Sequence, residues 1–173
     1  MPTERKVQQV ADLVDRISRA EVAIATSFSS ESVSNQTALR QAMSNSSIEV
    51  KVIKNPPRDD VISAYGESEF LILPSQWELS PLVPLESFAF KKPVISTNSH
   101  GIPYTVKNNE NGILVEPENH VELSKAIILL LHNSELRDKL GTSGYGFVHD
   151  ECNCISMAKN SLKLYERILK KIK

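Results

Sequence analysis

Short apolar runs alternate with stretches of helical periodicity along this 173-residue chain. Runs of strand length and composition lie at residues 22–26, 48–53, 69–73, 93–97 and 112–115. Between and after them, apolar residues recur at the three- and four-residue spacing of an amphipathic helix. This alternation is typical of a parallel sheet covered by helices on both faces, and right-handed crossovers favour a doubly wound order. The pattern therefore predicts an α/β fold, a single Rossmann-like doubly wound parallel sheet flanked by helices.

The periodicity also predicts where the helices lie. They are expected at residues 7–17, 36–45, 59–66, 81–90, 121–132, 134–147 and 152–171. Neither an internal repeat nor an interdomain linker interrupts the pattern, so residues 1–173 are assigned to a single domain. Within it, residues 1–45 are expected to be the least regular and most mobile part, and residues 152–173 to form a terminal helix.

The charge balance gives no general reason to expect a nucleic-acid or membrane-surface partner. The 20 basic residues are matched by 21 acidic ones, for a net charge of -1 at pH 7. The first six residues lack the apolar core of a signal peptide, and no apolar run approaches the roughly 20 residues of a spanning helix. We therefore expect a cytoplasmic domain.

The two cysteines give little support for a metal site. Cys152 and Cys154 lie one residue apart, and the four histidines are scattered. Structural zinc takes four ligands at characteristic spacings, which this arrangement lacks. We interpret both thiols as helix residues in a reducing compartment and expect no metal ligand.

The segment after the strand at 69–73 carries the candidate chemistry. Ser80 is a good N-cap and Pro81 suits a first helical position, so a helix is predicted to begin there. Its free amides would face the carboxyl edge of the sheet, where ligands of such folds bind, and would suit a phosphate. Glu78 lies in the loop before this helix, and Glu86 lies about five residues into it, roughly 7.5 Å along its axis.

Two carboxylates beside a phosphate site would repel a simple dianion. They suit a ligand that also carries vicinal hydroxyls, such as a ribose and a sugar ring, because charge-assisted hydrogen bonds to hydroxyls are strong. The alternative is structural: Glu78 caps a turn, and Glu86 is a solvated helix residue.

A longer pattern surrounds these residues: P-S-x-x-E, seven residues, a second Glu, and then K-P-V-I. It resembles the C-terminal, donor-binding domain of the GT-B-fold retaining glycosyltransferases of family 4, the group 1 transferases. The resemblance covers about residues 59–168 and is carried by residues 74–78, 86–95, 99–103, 111–115 and 136–141.

The resemblance implies a role for each candidate residue. Glu86 would bind the ribose of a nucleotide-diphosphate sugar, and Glu78, the candidate catalytic residue, would lie at the donor sugar. The backbone from Leu79 through Ser80 to Leu82 would cradle the diphosphate. His100 and Gly101 belong to a loop that would cover the donor sugar; the alternative is an ordinary strand-exit turn. A hexosyl group would be transferred with retention, without a metal or other cofactor.

Upstream, the resemblance weakens. Arg5 or Lys6 would supply the basic partner of the diphosphate, although a charged first helical turn is an equal alternative. The first strand of the family domain has no counterpart, and it would lie between the strands at 22–26 and 69–73. Either these two strands pair directly, or another segment fills the gap. Three positions also depart from the family pattern: Lys91 and His100 stand at usual glycines, and Tyr104 at a frequent glutamate.

These observations predict a glycosyltransferase donor-binding domain that is active only when joined to an N-terminal acceptor domain or partner chain. Any peripheral membrane association would come through that absent half. The alternative is a non-catalytic nucleotide- or phosphate-binding module, or a partner subunit. A dinucleotide-dependent oxidoreductase is disfavoured because no G-x-G-x-x-G follows a strand. The terminal helix carries Ile168, Leu169 and Ile172 on one side, a stripe that would pack on the absent half or drive association.

Overall fold

A computed structural model of the chain describes residues 24–26 and 56–172. The predicted strand at 48–53, both helices predicted before it, and Arg5 and Lys6 lie outside the described residues. The strands are β1 Ile24–Thr26, β2 Phe70–Leu73, β3 Val94–Thr97 and β4 Gly112–Val115. The helices are α1 Arg58–Glu67, α2 Val83–Ala89, α3 Ile102–Thr105, α4 His120–His132, α5 Ser134–Asp150 and α6 Cys154–Ile172.

The described strands form one parallel, four-stranded sheet in the order β1-β2-β3-β4. Ile24 is in register with Phe70, and Thr26 with Ile72. Of the two alternatives given for the strands at 22–26 and 69–73, the structure therefore shows direct pairing. The β2 ladder is satisfied on this side by β1 and on the other by β3, so neither edge of β2 is left open.

Helices cover both faces of the sheet. Alternate residues of a strand point to opposite faces, and every residue of β2 is buried. Phe70, Ile72 and Ile95 pack with buried residues of α4 and α5 on one face. Leu71 and Val94 pack with buried residues of α1, α2 and α3 on the other. Because helices cover both faces of the sheet, the strands are continuous apolar runs. Such runs could be predicted from the sequence.

Helix α2 begins two residues later than predicted. Its N-cap is Leu82, which makes no side-chain capping hydrogen bond, and Ser80 is exposed. Proline supplies the reason. A helix beginning at Pro81 would place Pro84 fourth, where its ring would clash with the preceding turn. Beginning at Val83 places Pro84 in the first turn, where a missing N–H costs nothing.

Two further predictions need correction. The single-turn helix α3 was not predicted, because the sequence was assigned only a loop or turn over residues 99–103, although Pro103 stands in the first turn of this helix. Cys152 is not a helix residue, because it lies in a bend between α5 and α6. Asn153 causes the break: its side-chain oxygen accepts a hydrogen bond from Ser156 N at 2.9 Å, so that Asn153 is an N-cap and α6 begins at Cys154. Both thiols are free and exposed.

Candidate functional site

The loop between β2 and α2, residues 74–82, lies at the carboxyl edge of the sheet and is fastened to the next strand. Three hydrogen bonds hold it: Thr97 Oγ1 to Ser75 O, Ser99 Oγ to Gln76 O at 2.6 Å, and Gly101 N to Glu78 O at 2.8 Å. A fourth, from Ser96 Oγ to Leu73 O at 2.7 Å, joins the ends of β2 and β3. The small hydroxyl residues at the end of β3 are therefore anchors for the loop that carries Glu78.

Gly101 allows the turn after β3 to approach this loop closely. A Cβ atom at position 101 would lie 1.8 Å from the backbone oxygen of Leu79, a distance that no side chain tolerates. His100, the residue before it, adopts a left-handed conformation with φ 47°. The structure thus brings Glu78 and Leu79 against Gly101, three residues that the sequence predicted for the site.

An aromatic contact joins the two loops on their outer side. The rings of Trp77 and His100 lie 3.8 Å apart between centroids. Ser99 Oγ lies 2.6 Å from His100 Nδ1, so the imidazole is held from both sides. Trp77 is 66% exposed, and Leu79 and Leu82 are exposed to a similar degree. This edge of the molecule therefore presents apolar side chains to solvent beside the predicted donor site.

The two predicted carboxylates have different surroundings. Glu78 is half-buried, and among the described residues its carboxylate has no hydrogen-bond or ion-pair partner. Glu86 lies in the first turn of α2, nearer the start of the helix than predicted, and its amide donates to Leu82 O at 3.0 Å. Its side chain is 31% exposed and is held by two residues of α1.

The partners of Glu86 are Arg58 and Tyr65. Arg58 Nη1 donates to Oε1 at 2.9 Å, and Tyr65 Oη donates to Oε2 at 3.0 Å. Burial raises the pKa of Tyr65 above its usual range, and the hydrogen bond and negative charge of Glu86 raise it further, while Arg58 acts in the opposite direction. Glu86 is therefore not the solvated helix residue of the structural alternative.

Sequence reasoning missed both partners, although one signal was available. Arg58 and Tyr65 are seven positions apart, which places them two turns apart on one face of α1. Burial of a tyrosine hydroxyl requires a partner, and the nearest acidic residue of the site would have been the candidate. Which carboxylate accepts the bond is decided by the packing of α1 on α2, and no local pattern carries that information.

Of the remaining residues predicted for the site, three lie in the loop before α2 and two lie outside the described residues. Leu79, Ser80 and Leu82 line the exposed stretch of the loop before α2. Arg5 and Lys6 lie outside the described residues, so no position is given for them. In the part of the chain that the structure describes, no group of three or more His, Cys, Asp or Glu side chains is arranged to hold a metal. None of the described helices is long and apolar enough to cross a membrane.

Comparison with known families identifies the class of protein. The family model for Glycosyl transferases group 1 matches residues 9–147. This is most of the chain, and the chain therefore belongs to the group 1 glycosyltransferase family. The resemblance found in the sequence is confirmed.

Individual relatives and structures agree with this assignment. The chain is 38% identical over 89 residues to an uncharacterized glycosyltransferase of Methanocaldococcus jannaschii, covering 51% of this chain and 25% of that protein. It is 30% identical over 117 residues to N,N'-diacetylbacillosaminyl-diphospho-undecaprenol alpha-1,3-N-acetylgalactosaminyltransferase of Campylobacter jejuni, covering 66% of this chain and 30% of that protein. The chain thus spans well under half the length of the curated relatives it matches.

Among solved structures, the fold is similar to that of Anabaena HepE, solved in complex with UDP, with a TM-score of 0.71 at 14% identity. That match covers 96% of this chain and 54% of the Anabaena chain. It is also similar to the C-terminal domain of a group 1 glycosyltransferase, LpcC, from Francisella tularensis, with a TM-score of 0.62 at 24% identity, covering 70% of this chain and 64% of that chain. The α/β fold is therefore that of the C-terminal half of a GT-B glycosyltransferase.

Proposed function

We propose that the chain is the donor-binding domain of a retaining glycosyltransferase, which binds a nucleotide-diphosphate sugar and, joined to an acceptor domain, transfers its hexosyl group. The single observation that carries the proposal is the Glu86 carboxylate. It lies at the carboxyl edge of the sheet, in the first turn of α2, held by donors on both oxygens. In open α/β sheets this edge is where ligands bind.

Glu86 suits a ribose because its carboxylate is held at the site and keeps free acceptor capacity on both oxygens. An ionised carboxylate only accepts hydrogen bonds, with about four lone-pair sites over two oxygens. Arg58 and Tyr65 use one site on each oxygen. One site on each oxygen remains for a pair of vicinal hydroxyls, which supports the assignment of Glu86 to the ribose.

Glu78 is proposed to act at the donor sugar. Its carboxylate has no partner among the described residues, and its backbone oxygen is fixed by Gly101 N. A carboxylate held in this way would stabilise positive charge that develops on the sugar as the bond to the diphosphate breaks. The backbone of Leu79, Ser80 and Leu82 would face the diphosphate, with Arg5 or Lys6 supplying positive charge. His100 and Gly101 would close over the sugar.

The comparisons support the class of donor. Anabaena HepE was solved in complex with UDP and with UDP-glucose, so these two compounds are the first probes to try. The Campylobacter relative is named for the transfer of N-acetylgalactosamine to a diphospho-undecaprenol-linked sugar.

The test is calorimetric or NMR binding of UDP-, GDP- and ADP-sugars to the chain, repeated with Glu86→Ala. We expect one donor to bind and Glu86→Ala to abolish the binding. Glu166→Ala, on the exposed α6, is the matched control and leaves binding unchanged. The proposal includes no metal, so EDTA leaves the affinity unchanged as well. The chain alone is expected to show no sugar transfer to any acceptor.

The alternative is a non-catalytic nucleotide- or phosphate-binding module, or a partner subunit. The departures at His100 and Tyr104 favour it, since both lie at the loop proposed to cover the sugar. Failure of every donor to bind at millimolar concentration by a folded chain, together with a tight complex with another protein, would decide for this alternative.

A further inference from the structure

The two residues that hold Glu86 differ sharply in their freedom to move. Tyr65 is 6% exposed, and its ring stacks on Phe90 at 5.8 Å between centroids and 17° between planes. Arg58 is the first residue of α1, and its side chain is 63% exposed. The Tyr65 ring is therefore held by its packing against the end of α2. The Arg58 guanidinium, in contrast, can rotate into solvent.

The two hydrogen bonds to Glu86 also differ in the free energy that breaking them costs. An exposed ion pair is screened by water and adds little to stability, so breaking it costs little. A buried hydroxyl that loses its acceptor is left unsatisfied and pays the full desolvation penalty. Breaking the contact of Tyr65 with Oε2 is therefore costly, whereas breaking the contact of Arg58 with Oε1 costs little.

We infer that Tyr65 is a positioning residue that orients the Glu86 carboxylate for the ribose, and that Arg58 is an exchangeable partner which ribose hydroxyls displace. The inference rests on the proposed function of Glu86. Tyr65 does not touch the ligand: it fixes the carboxylate plane by holding one oxygen, so that the other lone pairs point outward. Arg58 keeps the second oxygen neutralised in the unliganded chain and leaves it at little cost.

The protonation state of Tyr65 agrees with this role. A positioning donor must keep its proton wherever the site works. Burial and the adjacent Glu86 carboxylate raise the pKa of Tyr65 above its usual range, so the hydroxyl remains a donor throughout neutral and mildly alkaline pH.

The test compares Tyr65→Phe and Arg58→Met, with Tyr165→Phe on α6 as the matched control, by calorimetric titration. The probes are UDP and its 2′,3′-dideoxy counterpart, or the GDP or ADP pair if the donor panel favours that base. Tyr65→Phe keeps the ring stacked on Phe90 and removes only the hydroxyl. It is expected to weaken UDP binding about tenfold and to leave dideoxy-UDP binding unchanged. Arg58→Met is expected to change UDP binding less than about threefold.

Each outcome separates the inference from the proposed function. If Tyr65→Phe weakens both ligands equally, or neither, Tyr65 does not position the carboxylate for the ribose, and the inference falls while the proposed function stands. If Arg58→Met weakens UDP as much as Tyr65→Phe does, Arg58 is a permanent ligand of the site rather than an exchangeable one. If the unsubstituted chain binds no nucleotide, the proposed function fails and takes the inference with it.

A measurement without nucleotide checks the geometry independently. Thermal unfolding of Tyr65→Phe, Glu86→Ala and the double variant forms a double-mutant cycle, in which each single substitution removes the hydrogen bond. A contact made by a buried hydroxyl is expected to give clearly non-additive shifts of the midpoint. Arg58→Met combined with Glu86→Ala is expected to be much closer to additive, because water screens the exposed ion pair. Additive shifts for the Tyr65 and Glu86 pair would overturn the inference, even if nucleotide binding were intact.

Discussion

The proton of Tyr65 is bound more tightly in the folded chain than in the unfolded one. Burial is the first cause, and the hydrogen bond to Glu86 is the second. The unfolded tyrosine has a pKa of about 10, so above that pH the unfolded chain loses a proton that the folded chain keeps. The stability contributed by Tyr65 is therefore fully present below about pH 10 and is lost as the pH rises further.

This gives a prediction for Tyr65→Phe. Its thermal midpoint is expected to fall less between about pH 9.5 and pH 11 than that of the unsubstituted chain, because phenylalanine has no proton to lose. The measurement is thermal unfolding by circular dichroism across that range. Tyr165→Phe should retain the steeper fall of the unsubstituted chain. Parallel curves for the chain and Tyr65→Phe would show that the Tyr65 hydroxyl is not buried against a carboxylate.

At the scale of residues, the sequence identified the carboxylates but not their partners. Glu78 and Glu86 were found because their spacing around a helix start is local. Tyr65 and Arg58 are 21 and 28 positions from Glu86, and such contacts depend on how two helices pack. The same limit applies to Ser99, whose hydroxyl bonds to Gln76 O, 23 positions away. A single sequence shows residue types at an edge, and only packing decides which of them meet.

At the scale of secondary-structure elements, α2 ends in a C-terminal cap that contains no glycine. Lys91 N donates to Phe88 O at 2.9 Å, and Lys92 N donates to Ser87 O at 3.1 Å. This pair of bonds is a Schellman motif with Lys91 in the left-handed conformation, at φ 57°. Its Nζ lies 5.1 Å from the Tyr145 ring centroid, a cation–π contact that offsets part of the strain.

Helix α5 packs directly on this end of α2, and its glycines make a sharp prediction. A Cβ atom at Gly141 would lie 2.0 Å from Lys91 O, whereas one at Gly146 would meet nothing within 4 Å. Gly141→Ala is expected to lower the free energy of unfolding by about 2 kcal/mol or more through overpacking. Gly146→Ala, in the same helix, is expected to raise it by about 0.5–1 kcal/mol. Urea unfolding measures both values.

The informative quantity is the difference in the free energy of unfolding between Gly141→Ala and Gly146→Ala. Both raise helix propensity by the same amount, so their difference isolates the contact between α5 and the backbone at Lys91. Similar small gains in stability for both variants would mean that α5 does not lie against this turn. Because α2 carries Glu86, a loose turn at Lys91 would also leave the orientation of that carboxylate less well defined.

The elements were predicted from the sequence with uneven success, and the reasons are physical. Strands β2 and β4 were predicted to within a residue because strands of a helix-covered parallel sheet are continuous apolar runs. The start of α2 was misplaced because Ser80 with Pro81 and Leu82 with Pro84 are two competing start signals. The choice between them follows from the position of the second proline inside the helix, which outweighs a favourable cap.

At the scale of the whole molecule, β1 pairs directly with β2 in the described sheet. The family pattern predicted one further strand between them, and the sequence left open whether β1 and β2 would pair or another segment would fill that place. Direct pairing follows from the register, in which Ile24, Ala25 and Thr26 each lie beside a residue of β2. The sequence could not predict which strand pairs with β2, because any apolar strand of suitable length can form the hydrogen bonds of an open parallel strand edge.

Helix α6 exposes a broad apolar face to solvent. At 100° per residue, its apolar residues fill one half of the helical circle. Ile155, Leu162, Tyr165 and Leu169 in this half are each more than half exposed. The opposite half carries the basic side chains Lys159, Lys163, Arg167 and Lys170. The stripe predicted from the sequence is therefore present and is wider than the three residues named for it.

An apolar half-circle that faces water should drive association of the chain with a second copy of itself. We expect the sedimentation coefficient to rise with protein concentration, and Leu162→Glu combined with Leu169→Glu to remove that rise. Burying two leucines contributes about 3–6 kcal/mol, so the double variant should weaken association by at least about 100-fold. Lys163→Glu, on the basic half of the same helix, changes charge without touching the apolar half and should leave association in place. A chain that stays monomeric at every concentration would show that exposure of this face alone does not make it an interface.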